Sequence, residues 1–306
     1  MRISITEVIY FLELNNLSIT YLGAMDLIIR GFSSINKPKD NTILFVRNWE
    51  PVIMELLASV KDVCIICDTL PPVDYNKNYI LTNTVQLAYF SLFNEFGDEQ
   101  IQTRCSSMVS IETSNIGTDF SCGNFVSIGR DVVVGNNCSI GNNVTINGKT
   151  VIGDNVFIDS NVCIGNEGFG HYQTNDNKPI MIRHQGGIKI GNDVFIGSGT
   201  VISKGTIDDT VIGDDVKIDA MCKISHNAII GNRVLMAGNS GVAGSVIIGD
   251  DTWLSGGCRI NTGIVVGADC FIGFCSVVNK NIPDGKRAIG CPARIIGNNT
   301  NNPYKL

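Results

Sequence analysis

Ile212-Gly213, Ile218-Asp219, Ile224-Ser225, Ile230-Gly231, Met236-Ala237, Val242-Ala243, Ile248-Gly249, Leu254-Ser255, Ile260-Asn261, Val266-Gly267, Ile272-Gly273: along this stretch an apolar residue returns every sixth position, followed by a small or polar one. A period of six matches neither the 3.6 of a helix nor the two-residue alternation of an ordinary strand. It suits a solenoid in which one short strand and one turn use six residues. Followed outward, the period runs from Ile116 to about Val278, with Cys122 in one of the aliphatic slots. Four places after the aliphatics stand Val126, Val132, Val144, Val156, Val216, Val234 and Val246, which should share the core. Cys138, Cys222, Cys258 and Cys270 occupy the same slot and act there as small apolar fillers. Three hexads, about 18 residues, close one triangular coil, and a prism with flat outer faces is well suited to a closed three-fold ring.

Departures from so regular a pattern are easy to see. The register holds at 116, 122, 128, 134, 140, 146, 152, 158 and 164 and resumes only at Ile190. The segment between, residues 165–188, holds Gly168-Phe169-Gly170-His171 and Arg183-His184-Gln185-Gly186-Gly187 and should loop out. A second irregularity reads as a shortened coil, Ile202 to Ile207 to Ile212 in two steps of five. Loops carried on a rigid scaffold commonly carry function, so the site is expected here.

The first hundred residues lack the period. Ser4 and Glu7 have capping-box spacing ahead of the amphipathic Val8-Ile9-Phe11-Leu12, which predicts a helix start. Strand-like runs follow at Ile43–Val46, Val63–Cys67 and Tyr79–Leu81, with a second helix across Val85–Phe96 ended by Gly97. Pro51, Pro71 and Pro72 punctuate the connections. The expected organisation is a small α/β domain over 1–103, a catalytic solenoid over 104–282 and a C-terminal tail over 283–306, with the polar stretch Gly97–Ser107 as linker.

Composition excludes several classes. The net charge of -6 and the absence of Lys/Arg runs argue against nucleic-acid or anionic-membrane partners. The N-terminus makes a poor signal peptide, and the apolar stretch Val52–Leu70 carries Glu55, Lys61, Asp62 and Asp68, so no membrane span is expected and a cytoplasmic location is. Cys64-Ile65-Ile66-Cys67 has the form CxxC but lies in an apolar run without a second pair or a nearby His, and reads as a buried strand.

The chain has 3 His. His226 follows a repeat aliphatic by two places, a turn position facing outward; one coil along lies Gly244, and one shortened coil back lies Asp209. A base, a backbone N–H and a carboxylate on one edge are what acyl transfer to an amine or hydroxyl requires. Asp208 and Asp209 would orient the imidazole or the amine, or simply satisfy turn amides. His171 and His184 lie in the long loop, where His184 has either a substrate-contacting or a structural role. With a single His on the regular coils, no metal site is expected.

The spacing of the coils resembles the left-handed parallel β-helix of the hexapeptide-repeat acyltransferases. Gly168-Phe169-Gly170, His184-Gln185-Gly186-Gly187, Ile207-Asp208-Asp209-Thr210-Val211-Ile212-Gly213 and Ile224-Ser225-His226-Asn227 resemble, in order and spacing, the UDP-3-O-acylglucosamine N-acyltransferases of lipid A synthesis. The stretch from Ile29 to Asn48 resembles that family's uridine-binding domain. The resemblance implies a left-handed, homotrimeric fold, His226 as general base and the Gly244 N–H as oxyanion donor. It also implies Phe45, Asn48 and Trp49 near a nucleotide base, and Phe169, His171 and His184 near the acceptor.

Two departures matter. A second His that the lipid A enzymes carry beyond the base would fall near Thr262-Gly263 and is absent. The end of the chain, Ile282-Pro283-Asp284-Gly285 and Ala288–Ile296, resembles instead coenzyme A-dependent sugar acetyltransferases, which implies Ala243, Lys280, Arg287 and Arg294 along the donor. The expectation is therefore a trimeric N-acyltransferase moving an acyl group from acyl-CoA to the amine of a dTDP- or UDP-linked amino sugar for surface polysaccharide synthesis. The alternatives are the lipid A N-acyltransferase itself, fed by acyl carrier protein, and a non-catalytic trimeric scaffold.

Overall fold

The computed structural model describes residues 1–73, 77–97 and 105–300, so most of the expected linker lies outside the described residues. The chain divides into two compact units, Met1–Gln102 and Thr103–Leu306.

The second unit is a parallel β-solenoid. Its strands are mostly two or three residues long and build three sheets: nine strands from Ser110–Ile111 to Val277–Val278 on the first face, seven from Val133–Val134 to Val265–Val266 on the second, and ten from Ser121–Cys122 to Ala293–Asn298 on the third. Each strand bonds to its counterpart one coil away, so identical slots stack. On the first face Ile164, Ile202, Ile224, Val242, Ile260 and Val278 pair in sequence and point inward, all buried. The filler cysteines are buried as well, and burial pushes the Cys222 and Cys258 thiols up to about 11. Many corners require a left-handed residue, and Asn or Asp often supplies it, as at Asn143, Asn155, Asp215 and Asn227 with φ of 57°, 58°, 58° and 58°. A short polar side chain tolerates that conformation better than most, which is why polar residues recur after the aliphatics.

The tail does not leave the solenoid at Ile282. Lys286–Gly290 continues the third face, with Phe271 opposite Arg287 and Ile272 opposite Ala288, and turns back antiparallel into Ala293–Asn298.

The first unit is a five-stranded sheet in the order Thr20–Leu22, Asn78–Leu81, Cys64–Cys67, Thr42–Val46, Gly31–Phe32, the last four parallel. Helix α1, Ile5–Leu14, starts at a capping box: Glu7 N–H donates to Ser4 Oγ at 3.3 Å and Ser4 N–H to Glu7 Oε2 at 2.7 Å. Helix α2, Pro51–Ala58, is missed by the sequence reading, which takes Pro51 for a break. Proline is at home in the first helical turn, where its missing N–H would have no partner. Helix α3, Val85–Phe96, ends at Gly97 as expected. Residues of α1 and α3 share one apolar cluster with Ile43, Ile66 and Ile80, and Leu57 of α2 shares another with Leu44 and Ile65. Both cysteines of the CxxC are fully buried in their strand, and burial pushes Cys67 up to about 12.

The structure corrects the register around Ile207. Ile207 is 81% exposed, whereas Ile202 is fully buried and pairs directly with Ile224. The coil is lengthened, not shortened: neighbouring slots are 22 residues apart here and 38 across the preceding loop, against 18 in the regular coils. A sequence period counts aliphatics and cannot tell one at a loop tip from one in the core. Ile202→Ala should therefore cost about 2–5 kcal/mol in urea unfolding, and Ile207→Ala less than about 0.5 kcal/mol. Equal costs would restore the shortened-coil reading.

Candidate active site

Both insertions leave the solenoid at one edge, between the first and second faces. Residues 167–187 separate Cys163–Asn166 from Ile188–Ile190, and 204–209 separate Val201–Ser203 from Thr210–Ile212. The next coil turns the same edge through Ser225, His226 and Asn227, and the one after through Ala243 and Gly244. The long loop, the added residues, the histidine and the glycine thus follow one another along a single line.

His226 is half-buried and its orientation is set by its neighbour. Asn227 Nδ2 donates to the Asp208 carbonyl at 2.9 Å and Asn227 Oδ1 accepts the Thr206 N–H at 3.1 Å, so the oxygen that faces His226 Nδ1 at 3.1 Å is an acceptor. Nδ1 must then carry the proton, with Thr206 Oγ1 at 3.5 Å, and Nε2 is left with its lone pair. Gly244 lies against this nitrogen. A Cβ on Gly244 would stand 2.6 Å from His226 Cε1 and 2.7 Å from Nε2, so only glycine leaves the ring in place. Among the described residues no acceptor takes the Gly244 N–H. At another edge of the prism the corresponding amides are capped from the next coil, as Asp214 N–H is by Asn232 Oδ1 at 2.9 Å.

His184 is 1% exposed and packs edge-on to His226, with ring centroids 5.0 Å apart and planes at 65°. Its N–H donates to Glu167 Oε2 at 3.0 Å; its Nδ1 lies 3.0 Å from the Ile182 carbonyl and 3.4 Å from Glu167 Oε2. A carbonyl only accepts, so Nδ1 is protonated here too. Among the described residues Nε2 has no partner, and it is shut off from solvent, a burial that costs about 1–3 kcal/mol. The Gly168-Phe169-Gly170 strap closes over this ring. A Cβ at Gly168 would fall 2.5 Å from His184 Nε2 and 2.8 Å from His226 Cβ, and one at Gly170 would fall 3.3 Å from His184 Cε1. Glu167 ties the strap to the added residues through Lys204 Nζ at 2.9 Å. The His184 N–H foremost, then Lys204, holds the Glu167 carboxyl below its ordinary value of 4.5.

Of the two roles expected of the acidic pair, Asp209 takes that of satisfying a loop amide. Asp209 accepts the Gly187 N–H at 2.7 Å and pairs with Lys189 at 3.0 Å, and the Gly187 N–H holds its carboxyl below the usual range. Asp208 contributes its backbone carbonyl to Asn227. The group that orients His226 is therefore Asn227, and the pair fastens loop to coil. A five-residue error in locating the coil placed Asp209 under the imidazole; in the true register Lys204 holds that slot.

A cavity of about 570 Å³ opens on the first face beside this edge, lined by Lys223, Ser225, Gly241, Ala243, Arg259 and Asn261 among others. Gly241 forms its low point between Lys223 and Arg259, which occupy the same outward slot one coil to either side. Lys223 donates to Ser203 Oγ at 2.9 Å, and burial lowers its pKa. Of the residues expected along the donor, Ala243 lines this cavity, whereas Lys280, Arg287 and Arg294 do not. Lys280 is exposed, Arg287 lies over the Phe271 ring at 5.0 Å on the third face, and Arg294 is exposed on the terminal hairpin. In the loop, Phe169 is 77% exposed with the exposed His171 ring 5.4 Å away. In the first unit Phe45 packs on Tyr89 at 4.8 Å, Asn48 is exposed, and Trp49 Nε1 donates to the Thr69 carbonyl at 2.7 Å. Among the described residues no three His, Cys, Asp or Glu side chains converge as a metal would need, and no helix is long and apolar enough to cross a membrane.

Residues 209–244 and 245–280 each match the family described as bacterial transferase hexapeptide (six repeats). The two matches together take in the coils from Asp209 to Lys280. Over 78 residues, 26% of this chain and 24% of the relative, the chain is 49% identical to the UDP-3-O-acylglucosamine N-acyltransferase of Acidovorax sp. (strain JS42). It thus spans about a quarter of the length of the curated relatives it matches. Among solved structures, LpxA from Acinetobacter baumannii superposes with a TM-score of 0.58 at 26% identity, covering 64% of this chain and 74% of that one. The UDP-N-acetylglucosamine acyltransferase from Campylobacter jejuni gives 0.55 at 27%, covering 64% and 75%. The first hexapeptide match begins at Asp209 and ends at Gly244, so it takes in His226 and Asn227 but not Glu167, His184 or Lys204.

Glu167 supplies a pH test of how the loop is fastened. A carboxyl whose folded pKa is depressed adds stability that is fully present above its unfolded value of 4.5 and is lost as pH falls through the lower folded value. Amide exchange at His184 should therefore speed up in acid beyond its intrinsic trend, and Glu167→Gln should remove that dependence. Protection of the His184 amide that is indifferent to acid would show that Glu167 does not hold the strap.

Proposed function

We propose that the protein is an N-acyltransferase that moves an acyl group from a thioester donor to the amine of a nucleotide-linked amino sugar. The observation that carries this reading is the pairing of His226 Nε2, its lone pair fixed by Asn227, with Gly244, whose N–H is uncommitted, beside a cavity of about 570 Å³. Such a pair supplies the two things aminolysis of a thioester lacks, a positioned base and a donor for developing negative charge.

In the proposed reaction the amine nitrogen attacks the thioester carbonyl as His226 Nε2 takes one of its protons. The new C–N bond leaves the carbonyl oxygen negative, facing the Gly244 N–H. Collapse of this intermediate breaks the C–S bond, and the leaving sulfur recovers the proton from His226. The cavity over Gly241 receives the donor arm, with Ala243 and Ser225 nearest the reacting carbon and the Lys223 and Arg259 cations along it. Phe169 and His171, in the inserted loop, are assigned to the acceptor sugar.

Coenzyme A is the preferred donor because the cavity is flanked by cations suited to phosphate and the chain end resembles coenzyme A-dependent enzymes. The second reading, UDP-3-O-acylglucosamine as acceptor with acyl carrier protein as donor, draws on the names of the curated relatives. A homotrimer is favoured by the outward aliphatic column on the second face, where Val151, Ile229, Ile247 and Val265 are 45%, 43%, 40% and 38% exposed. That face borders the His226 edge, so a neighbouring copy would wall it.

Thiol release from acetyl-CoA, and separately from 3-hydroxyacyl carrier protein, against a panel of UDP- and dTDP-amino sugars tests the reading. His226→Ala should lower kcat by about 10²–10⁴-fold. Gly244→Ala, whose methyl displaces the imidazole, should do so with the fold intact by circular dichroism. Unchanged turnover in His226→Ala would remove the base, and turnover with the carrier protein alone would move the assignment to the second reading.

A further inference from the structure

We propose that His184 is a positioning residue for acyl transfer, its ring locked so that the unprotonated Nε2 faces His226 and favours the imidazolium that His226 becomes. The inference rests on the reading of His226 as the base.

His184 is held more firmly than packing alone requires. Its main chain and Nδ1 are fixed by Glu167 and the Ile182 carbonyl, and two glycines, 168 and 170, are laid against its ring. The Ile182 carbonyl dictates the Nδ1–H tautomer, so the ring dipole has its positive end at Glu167 and its negative end at Nε2. That negative end is turned toward His226. The point where a Gly168 Cβ would stand touches His184 Nε2 on one side and His226 Cβ and Cδ2 on the other. Among the described residues no group satisfies the lone pair, although a phenylalanine would fill the same space without leaving one. Native structures keep few such orphaned acceptors, and each calls for a reason.

The reason lies in the charge His226 acquires. In the reaction its ring passes from neutral to cationic, next to a site closed by the strap, where a fixed dipole acts with little screening. A lone pair one ring away lowers the energy of the cation and leaves the neutral ring nearly indifferent. Glu167 adds its negative charge behind His184, on the far side from His226. The strap glycines, Glu167 and the buried histidine thereby become one device, carried by the insertion that interrupts the repeat.

The test uses the full-length chain and the donor–acceptor pair with the highest turnover in the panel. His184→Phe should lower kcat roughly tenfold with the KM of the amino sugar unchanged and the melting temperature no lower. His184→Gln, which offers an amide oxygen in place of Nε2, should recover part of the loss. If His226→Ala abolishes turnover while His184→Phe keeps kcat, this inference falls and the proposed function stands. If both retain turnover, the proposed function itself falls. A raised KM with kcat kept would make His184 a substrate contact, and a lowered melting temperature with no recovery in His184→Gln would make it structural; either outcome overturns the proposal. The chain has 3 His, so ¹⁵N ring spectra can be assigned by single substitutions. A protonated Nε2 on His184 in those spectra overturns the proposal whether or not any substrate is turned over.

Discussion

Every coil of the solenoid satisfies its backbone through the coils before and after it. The hydrogen bonds of Ile202, Ile224, Val242 and Ile260 run along the stack and not within a turn, so a coil cannot slip without unpairing two neighbours. The inward aliphatics then stack of necessity, and the corners inherit whatever residue tolerates the left-handed conformation. Extra residues can be admitted only where the chain passes from one face to the next. The edge that admits them here does so in two consecutive coils, and the chemistry sits beside them.

That arrangement separates two kinds of requirement. The coils hold His226 and Gly244 at a spacing set by main-chain bonding, with no dependence on side-chain packing. The inserted segments bring the groups a fixed repeat cannot offer: a buried imidazole, the carboxylate of Glu167, and a glycine strap thin enough to lie on two rings. Lys204 and Asp209 fasten those segments to the stack by a few polar contacts.

Much of this was legible in the sequence, because a period of six has one inexpensive solution and each residue in it sits at a fixed distance from its counterpart. The stacking of Gly244 on His226 follows from counting alone. So do the capping box of Ser4 and Glu7 and the strand around Cys64 and Cys67. The counting failed at Ile207, an aliphatic at the right spacing for the wrong reason, and the error moved Asp209 to a slot that Lys204 holds. Asn227 escaped notice because Asn is ordinary at a corner; only its bonds to Thr206 and Asp208 reveal that it sets the tautomer next door. Glu167 and His184 meet across the loop from positions 17 apart in the sequence, and no local pattern announces such a meeting.

The first face holds nine strands, and Lys223–Ile224, which leads into His226, is the sixth of them. In a linear stack each coil is stabilised only by its two neighbours, so disorder enters from the ends and advances one coil at a time. The imidazole is therefore insulated by distance: several coils on either side can fray and re-form before the catalytic edge loses a neighbour. The terminal hairpin, Lys286–Gly290 with Ala293–Asn298, lies at one of these ends and acts as a sacrificial margin for the coils behind it.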